Sequence, residues 1–154
     1  MAIKINSKAP DFSLISTSNK KFKLSEDFKG QPCLIFFYPK DQTQGCTKEV
    51  CSFRDNFQIF KSLDVNIVGI SRDSIKSHEE FKKMHNLPFE LLSDPTGEVC
   101  KKYDALIPLI KMPKRITYLL DKNHRIIAAH EGLFDGPGHV KAMIEEINQL
   151  AEKD

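Results

Sequence analysis

The chain has 154 residues, about one domain of ordinary size and enough to bury a core without disulfides or metals. Hydrophobic residues at 40%, charged residues at 29% and no apolar run near the roughly 20 residues of a membrane span exclude a disordered chain and a helical membrane protein. A net charge of +2 with both signs interspersed argues against nucleic acid or a membrane surface as partner, and 4 cysteines are too few for a disulfide-built secreted scaffold.

The opening segment, residues 1–6, lacks the basic start and apolar stretch of a secretory leader, so a cytoplasmic location is expected. In such a reducing compartment a close cysteine pair points to catalysis, redox sensing or metal binding. No repeat, low-complexity tract or linker divides residues 1–154, which read as one domain. Residues 12–15 and 21–24 fit an initial β-hairpin. Residues 34–38 form a continuous apolar run with Pro32 and Pro39 at its ends, the pattern of a strand buried on both faces. Residues 65–70 and 115–120 read as further strands. Between the first two of these strands Val50, Phe53, Phe57 and Phe60 make an apolar stripe of helical period. A helix over residues 75–84 with Asp73 or Ser74 as its cap follows, and Asp94-Pro95 opens a short helix carrying Val99 and Tyr103. Asp121 to His124 turn the chain into a strand over 125–129, and Val140, Ile144, Ile147 and Leu150 mark a closing helix. Alternating strands and helices with a late hairpin predict a thioredoxin-like α/β fold, a central mixed sheet with helices on both faces and an N-terminal β-hairpin.

The chemistry concentrates in residues 38–51, which lead from the first buried strand into the Phe-striped helix, the place where open α/β sheets hold their sites. Counting back four residues from Val50 puts Cys46 on the inward stripe and in the first helical turn, where the helix dipole and unpaired N–H groups favour thiolate over thiol. A buried structural cysteine is the plain alternative, against which the polar loop with Thr43 and Gly45 speaks. Cys51 follows five residues later, which on an intact helix separates the two Cα atoms by roughly 8–9 Å, beyond the ~7 Å limit of a disulfide. The spacing is therefore either a coincidence or a conditional link that needs the helix to unwind. A zinc site or a dithiol reductase would want Cys-x-x-Cys, which is absent here.

Residues 37–55, with Tyr38-Pro-Lys-Asp, Thr43, Gly45-Cys46-Thr47, Glu49, Cys51 and Phe53-Arg-Asp55, closely resemble the active-site segment of peroxiredoxins, and most of all the bacterioferritin comigratory protein or PrxQ branch. Ala9-Pro-Asp-Phe-Ser-Leu14, Gly69-Ile-Ser71, Leu92-Ser-Asp94 and residues 115–121 resemble further family landmarks, so the similarity covers nearly the whole chain. The resemblance implies that Cys46 is the peroxidatic nucleophile, that Pro39 and Thr43 complete its loop, that Arg115 is the arginine of the site, that Cys51 is the resolving thiol and that Glu49 helps orient the arginine. Gln44 stands where many relatives carry proline. It also implies a thiol peroxidase that needs no cofactor and no metal, acts on hydrogen peroxide and organic hydroperoxides, closes a Cys46–Cys51 disulfide and is recycled by thioredoxin or a similar dithiol. A monomer is expected.

The residue types suit that chemistry. Lowering a thiol pKa from about 8.5 to about 6 raises its thiolate fraction at pH 7 about thirtyfold and no further, so a fast peroxidase must also stabilise the departing oxygen. Arg115 and the Thr43 hydroxyl are the expected donors, worth about 2.7–4 kcal/mol each when well placed, and Pro39, with no N–H, would shield the sulfur. Cys33 reads as core, Cys100 as a bystander, and the five histidines as surface or packing residues with no metal spacing among them. The rival reading from another class is a peroxide-responsive sensor or scaffold using the same disulfide.

Overall fold

Cys33–Phe37, Cys-Leu-Ile-Phe-Phe, is buried at every position and forms the middle of the sheet. The computed structural model describes residues 2–132 and 136–153, with side chains through residue 149. In chain order the elements are β1 (Ser13–Ser16), β2 (Lys21–Lys23), α1 (Leu24–Asp27), β3 (Cys33–Phe37), α2 (Gln44–Asp55), α3 (Phe57–Ser62), β4 (Asn66–Ser71), α4 (Ile75–His85), β5 (Glu90–Ser93), α5 (Glu98–Lys102), β6 (Ile116–Leu120), β7 (Ile126–Glu131) and α6 (Gly136–Lys153). Among the described residues they make one sheet of order β2-β1-β5-β4-β3-β6-β7. β3, β4 and β5 run parallel and every other pairing is antiparallel, so the sheet is mixed as expected.

The period-2 alternation of β3 divides the interior. Cys33, Ile35 and Phe37 join one core with Phe12, Val99, Cys100 and Tyr103, while Leu34, Phe36 and Tyr38 join the other with Cys46, Val50, Phe53, Phe81, Val140 and Met143. The longer helices α2, α4 and α6 thus lie on one face, and α1 and α5 contribute to the other. Register then places the site. Phe37 pairs with Ile70 of β4 and with Ile116 of β6, so Tyr38 and Arg115, the next residues outward, leave the sheet at the same end.

The structure departs from the sequence reading in three places. The expected single helix through Phe60 breaks at Asn56, whose side-chain amide donates to the Ser52 carbonyl at 2.8 Å and competes with the helical ladder. Val50, Phe53 and Phe60 are buried nonetheless, and Phe57 half-buried. β5, four residues long between β1 and β4, has no counterpart in that reading, and neither does the single turn of α1. In α6 Val140 and Ile147 are buried and Ile144 half-buried, whereas the Leu150 side chain lies outside the described residues. The Ser74 cap is present, its side chain accepting from the Ser77 N–H.

Gly69 lets β4 pass beneath the ring that supports α2. A Cβ there would lie 2.5 Å from Phe36 Cζ, and Phe36 stacks on Phe53 of α2 with centroids 4.6 Å apart. Gly69→Ala is therefore expected to lower stability by roughly 1–3 kcal/mol through overpacking, measurable by urea denaturation.

Candidate active site

Thr43 begins the site as the residue preceding α2. Its backbone is extended (φ −83°, ψ 153°), its carbonyl accepts the Thr47 N–H at 2.8 Å, and no side chain caps the helix. The Thr43 hydroxyl donates to the Lys40 carbonyl at 2.8 Å. That corrects the expectation of a donor: the one proton of this exposed hydroxyl is engaged, and only its lone pairs remain to offer. Pro39 is half-buried at the head of the loop.

Cys46 is the third residue of α2 and only 1% exposed. Three residues on, Glu49 lies on the same helical face and is fully buried. Arg115, at the end of the chain segment entering β6, reaches both: Nη2 donates to Cys46 Sγ at 3.3 Å and Nη1 to Glu49 Oε1 at 2.7 Å. Gly45 leaves room for this guanidinium, since a Cβ would stand 3.1 Å from Nη2. Burial works against the Arg115 charge, but the Glu49 and Cys46 contacts outweigh it and hold its pKa above the ordinary value. Burial pushes the Glu49 carboxyl up to about 8, against the pull of Arg115.

The second Glu49 oxygen, Oε2, has no hydrogen bond among the described residues and faces His139 Nδ1 at 3.6 Å. His139 also meets Thr117 Oγ1 at 2.9 Å through Nδ1 and the Gly132 carbonyl at 2.8 Å through Nε2. Gly136 makes this approach of α6 possible, because a Cβ on it would lie 2.5 Å from Glu49 Cβ. Sequence reasoning missed both residues; nothing in the local pattern near position 139 shows that its helix packs on α2.

Cys51 lies on the same unbroken helix as Cys46, half-buried, with its thiol raised by burial against a smaller opposing effect of Arg54. Cys33 is a buried core residue as expected, and Cys100, read only as a bystander, is buried in the same core; burial raises both thiols, Cys33 to about 12, and the Asp94 carboxylate adds to the shift of Cys100. Of the histidines, expected as surface or packing residues, His78, His124 and His139 are buried and hydrogen-bonded.

The Glu49 shift has a definite sign. A carboxyl whose folded pKa is about 8, against 4.5 unperturbed, binds its proton more tightly in the fold, so the stability it contributes is present below about 4.5 and lost as pH rises through 8. Glu49→Gln removes this titration. Its melting temperature, compared with that of the parent protein, is expected to gain progressively from pH 4.5 to pH 8, which thermal melts across that range will read.

Comparison with known proteins agrees with this geometry. Residues 5–129 match the model of the AhpC/TSA family. The chain is 39% identical to peroxiredoxin Q, chloroplastic, of Oryza sativa subsp. japonica over 145 residues, covering 94% of this chain and 66% of that protein. It is 38% identical to peroxiredoxin Bcp of Bacillus subtilis, covering 99% of this chain and 100% of the relative. Among solved structures, the bacterioferritin comigratory protein of Xanthomonas campestris, described in connection with its alkyl peroxide reduction activity, superposes with a TM-score of 0.84 at 27% identity, covering 98% of this chain and 99% of that one. The fold is thus the thioredoxin-like fold of peroxiredoxins, and the chain belongs to the AhpC/TSA family, the peroxiredoxins, whose members are thiol-dependent peroxidases.

Proposed function

We propose that the chain reduces hydrogen peroxide and organic hydroperoxides with Cys46 as nucleophile. The observation that carries this reading is one guanidinium donating to both Cys46 Sγ and Glu49 in a pocket almost closed to water. The guanidinium donates directly to the sulfur, and the same planar group has further N–H bonds to offer an incoming peroxide. Cys46 sulfur attacks one peroxide oxygen, an S–O bond forms as the O–O bond breaks, and the departing alkoxide or hydroxide takes a proton to leave as alcohol or water. Arg115 stabilises the developing negative charge. Thr43, whose proton is held by Lys40, accepts the hydrogen of the peroxide and so orients it.

The Cys46 sulfenic acid is then attacked by the Cys51 thiolate, which expels hydroxide and leaves a disulfide. Both cysteines lie within Gln44–Asp55, so on the intact helix their Cα atoms are roughly 8–9 Å apart and the bond needs the first turns of α2 to open. Thioredoxin or a similar dithiol protein restores the two thiols by exchange. One chain holds both cysteines, so a monomer suffices, and the cytoplasm is the location that fits this chemistry.

Cys46→Ser is expected to abolish peroxide turnover, because a serine hydroxyl is not ionised near neutral pH. Cys51→Ser should consume one equivalent of peroxide and then stall as sulfenic acid, visible by mass spectrometry. Arg115→Lys should lose tenfold or more in kcat/KM, since a point charge on a flexible stem cannot reproduce two fixed donors. The assay is peroxide consumption over many cycles with a thioredoxin system; turnover by Cys46→Ser, or a single equivalent consumed by the parent protein, would contradict the proposal.

A further inference from the structure

A second buried polar cluster sits behind the Cys46 loop, and the steps above do not use it. Asp41, in that loop, has its side chain 1% exposed and faces His78 in the first turn of α4, which is fully buried. Asp41 Oδ1 accepts the Tyr38 hydroxyl at 2.5 Å, and Oδ2 lies 2.7 Å from His78 Nδ1 and accepts the Ser77 hydroxyl at 2.8 Å. Tyr38 Oη is also 3.3 Å from His78 Nδ1. Burial, together with the adjacent Asp41 carboxylate, keeps the Tyr38 phenol protonated. The other ring nitrogen, Nε2, lies 3.0 Å from the Leu92 carbonyl of β5. The remaining charged neighbour is Asp73, whose Oδ2 accepts the Asp41 N–H at 2.9 Å and the Ser71 hydroxyl.

The donor count fixes one proton. A carbonyl oxygen accepts only, so Nε2 carries a hydrogen. Nδ1 faces the Asp41 carboxyl oxygen Oδ2 at 2.7 Å, and that carboxyl also accepts the Tyr38 and Ser77 hydroxyls. His78 thus ties the Asp41 loop to the Leu92 carbonyl of β5. The chain from Asp41 to Cys46 has little slack: Gln42 turns it at φ +64°, the Thr43 hydroxyl ties back to Lys40, and the Thr43 carbonyl begins the helical ladder.

We infer that the buried Asp41–His78 pair is a positioning device for the peroxide reaction, anchoring the loop so that Thr43 and the first turn of α2 present Cys46 to the peroxide. The inference rests on the proposed peroxidase reading. It assigns Asp41 and His78 a positioning role, acting through Thr43 and Cys46 rather than on the substrate.

Two measurements test it. Long-range proton–nitrogen NMR of the reduced, unmodified protein near neutral pH should show a hydrogen on His78 Nε2, the nitrogen facing the Leu92 carbonyl; a bare Nε2 would overturn the anchor. This arm needs no peroxide, so it stands apart from the peroxidase reading, which fails only if the parent protein does not turn over. The second arm compares two reactions of Cys46. Alkylation by iodoacetamide needs the sulfur alone, whereas peroxide needs the loop in register, and a shift near 1 Å is enough to cost up to a hundredfold. Asp41→Asn should therefore slow oxidation of Cys46 by hydrogen peroxide about tenfold or more while alkylation changes less than twofold. Equal losses in both rates, as from general destabilisation, or no loss in either, would overturn the role. Should Asp41→Asn fail to fold, Ser77→Ala, which removes one donor, should show the same selective loss at about threefold.

Discussion

One guanidinium joins the sheet to the reactive helix. Arg115 enters β6 at the sheet end where β3 also stops, and its two terminal nitrogens hold Cys46 and Glu49, one helical turn apart on α2. The arrangement places a fixed cation between the Cys46 sulfur and a buried carboxyl, in a pocket almost closed to water. Much of the surrounding packing serves that contact. Gly45 leaves space for the guanidinium, Gly136 lets α6 seat against Glu49, and the Phe36–Phe53 stack supports the helix from below. A buried cation is costly to hold and leaving it without its partner is damaging, which is why Arg115 and Glu49 need such close support.

The same contact explains how a helix can hold the nucleophile and later release it. A thiolate attracts Arg115 strongly; a neutral sulfenic acid does so much less. In the proposed cycle, oxidation of Cys46 removes one of the two ties between α2 and the guanidinium at the moment when the helix must open to bring Cys51 within bonding distance. In that cycle the Arg115–Glu49 contact, further along the helix, would limit the opening to the first turns. Upstream, Asp41 and His78 hold the loop against α4 and β5, so the movable stretch is bounded at both ends.

Local pattern made a good part of this legible. The unbroken apolar run around Leu34–Phe37 announces a central strand, and the spacing of Val50 and Phe53 from Cys46 places the sulfur inward before any coordinates are known. Period alone did not reveal β5, because four residues after Pro88 carry too little pattern, nor the break at Asn56, where one side-chain hydrogen bond decides. The Arg115–Cys46 contact spans 69 positions, and the Asp41–His78 pair spans 37; resemblance to a family supplied the first, and nothing supplied the second. His139 falls in the same class, since its role follows from α6 packing on α2 and not from its neighbours in sequence.

Cys46 sits on an intact helix, and the proposed cycle requires that helix to open when Cys46 is oxidised. Amide hydrogen exchange over residues 44–51, compared between the reduced protein and protein oxidised with one equivalent of peroxide, tests it most directly. The account expects strong protection of these amides in the reduced state and its loss once mass spectrometry shows the Cys46–Cys51 bond, while residues 66–71 of the central sheet stay protected throughout. Equal protection of residues 44–51 in both states, with the bond confirmed, would contradict it.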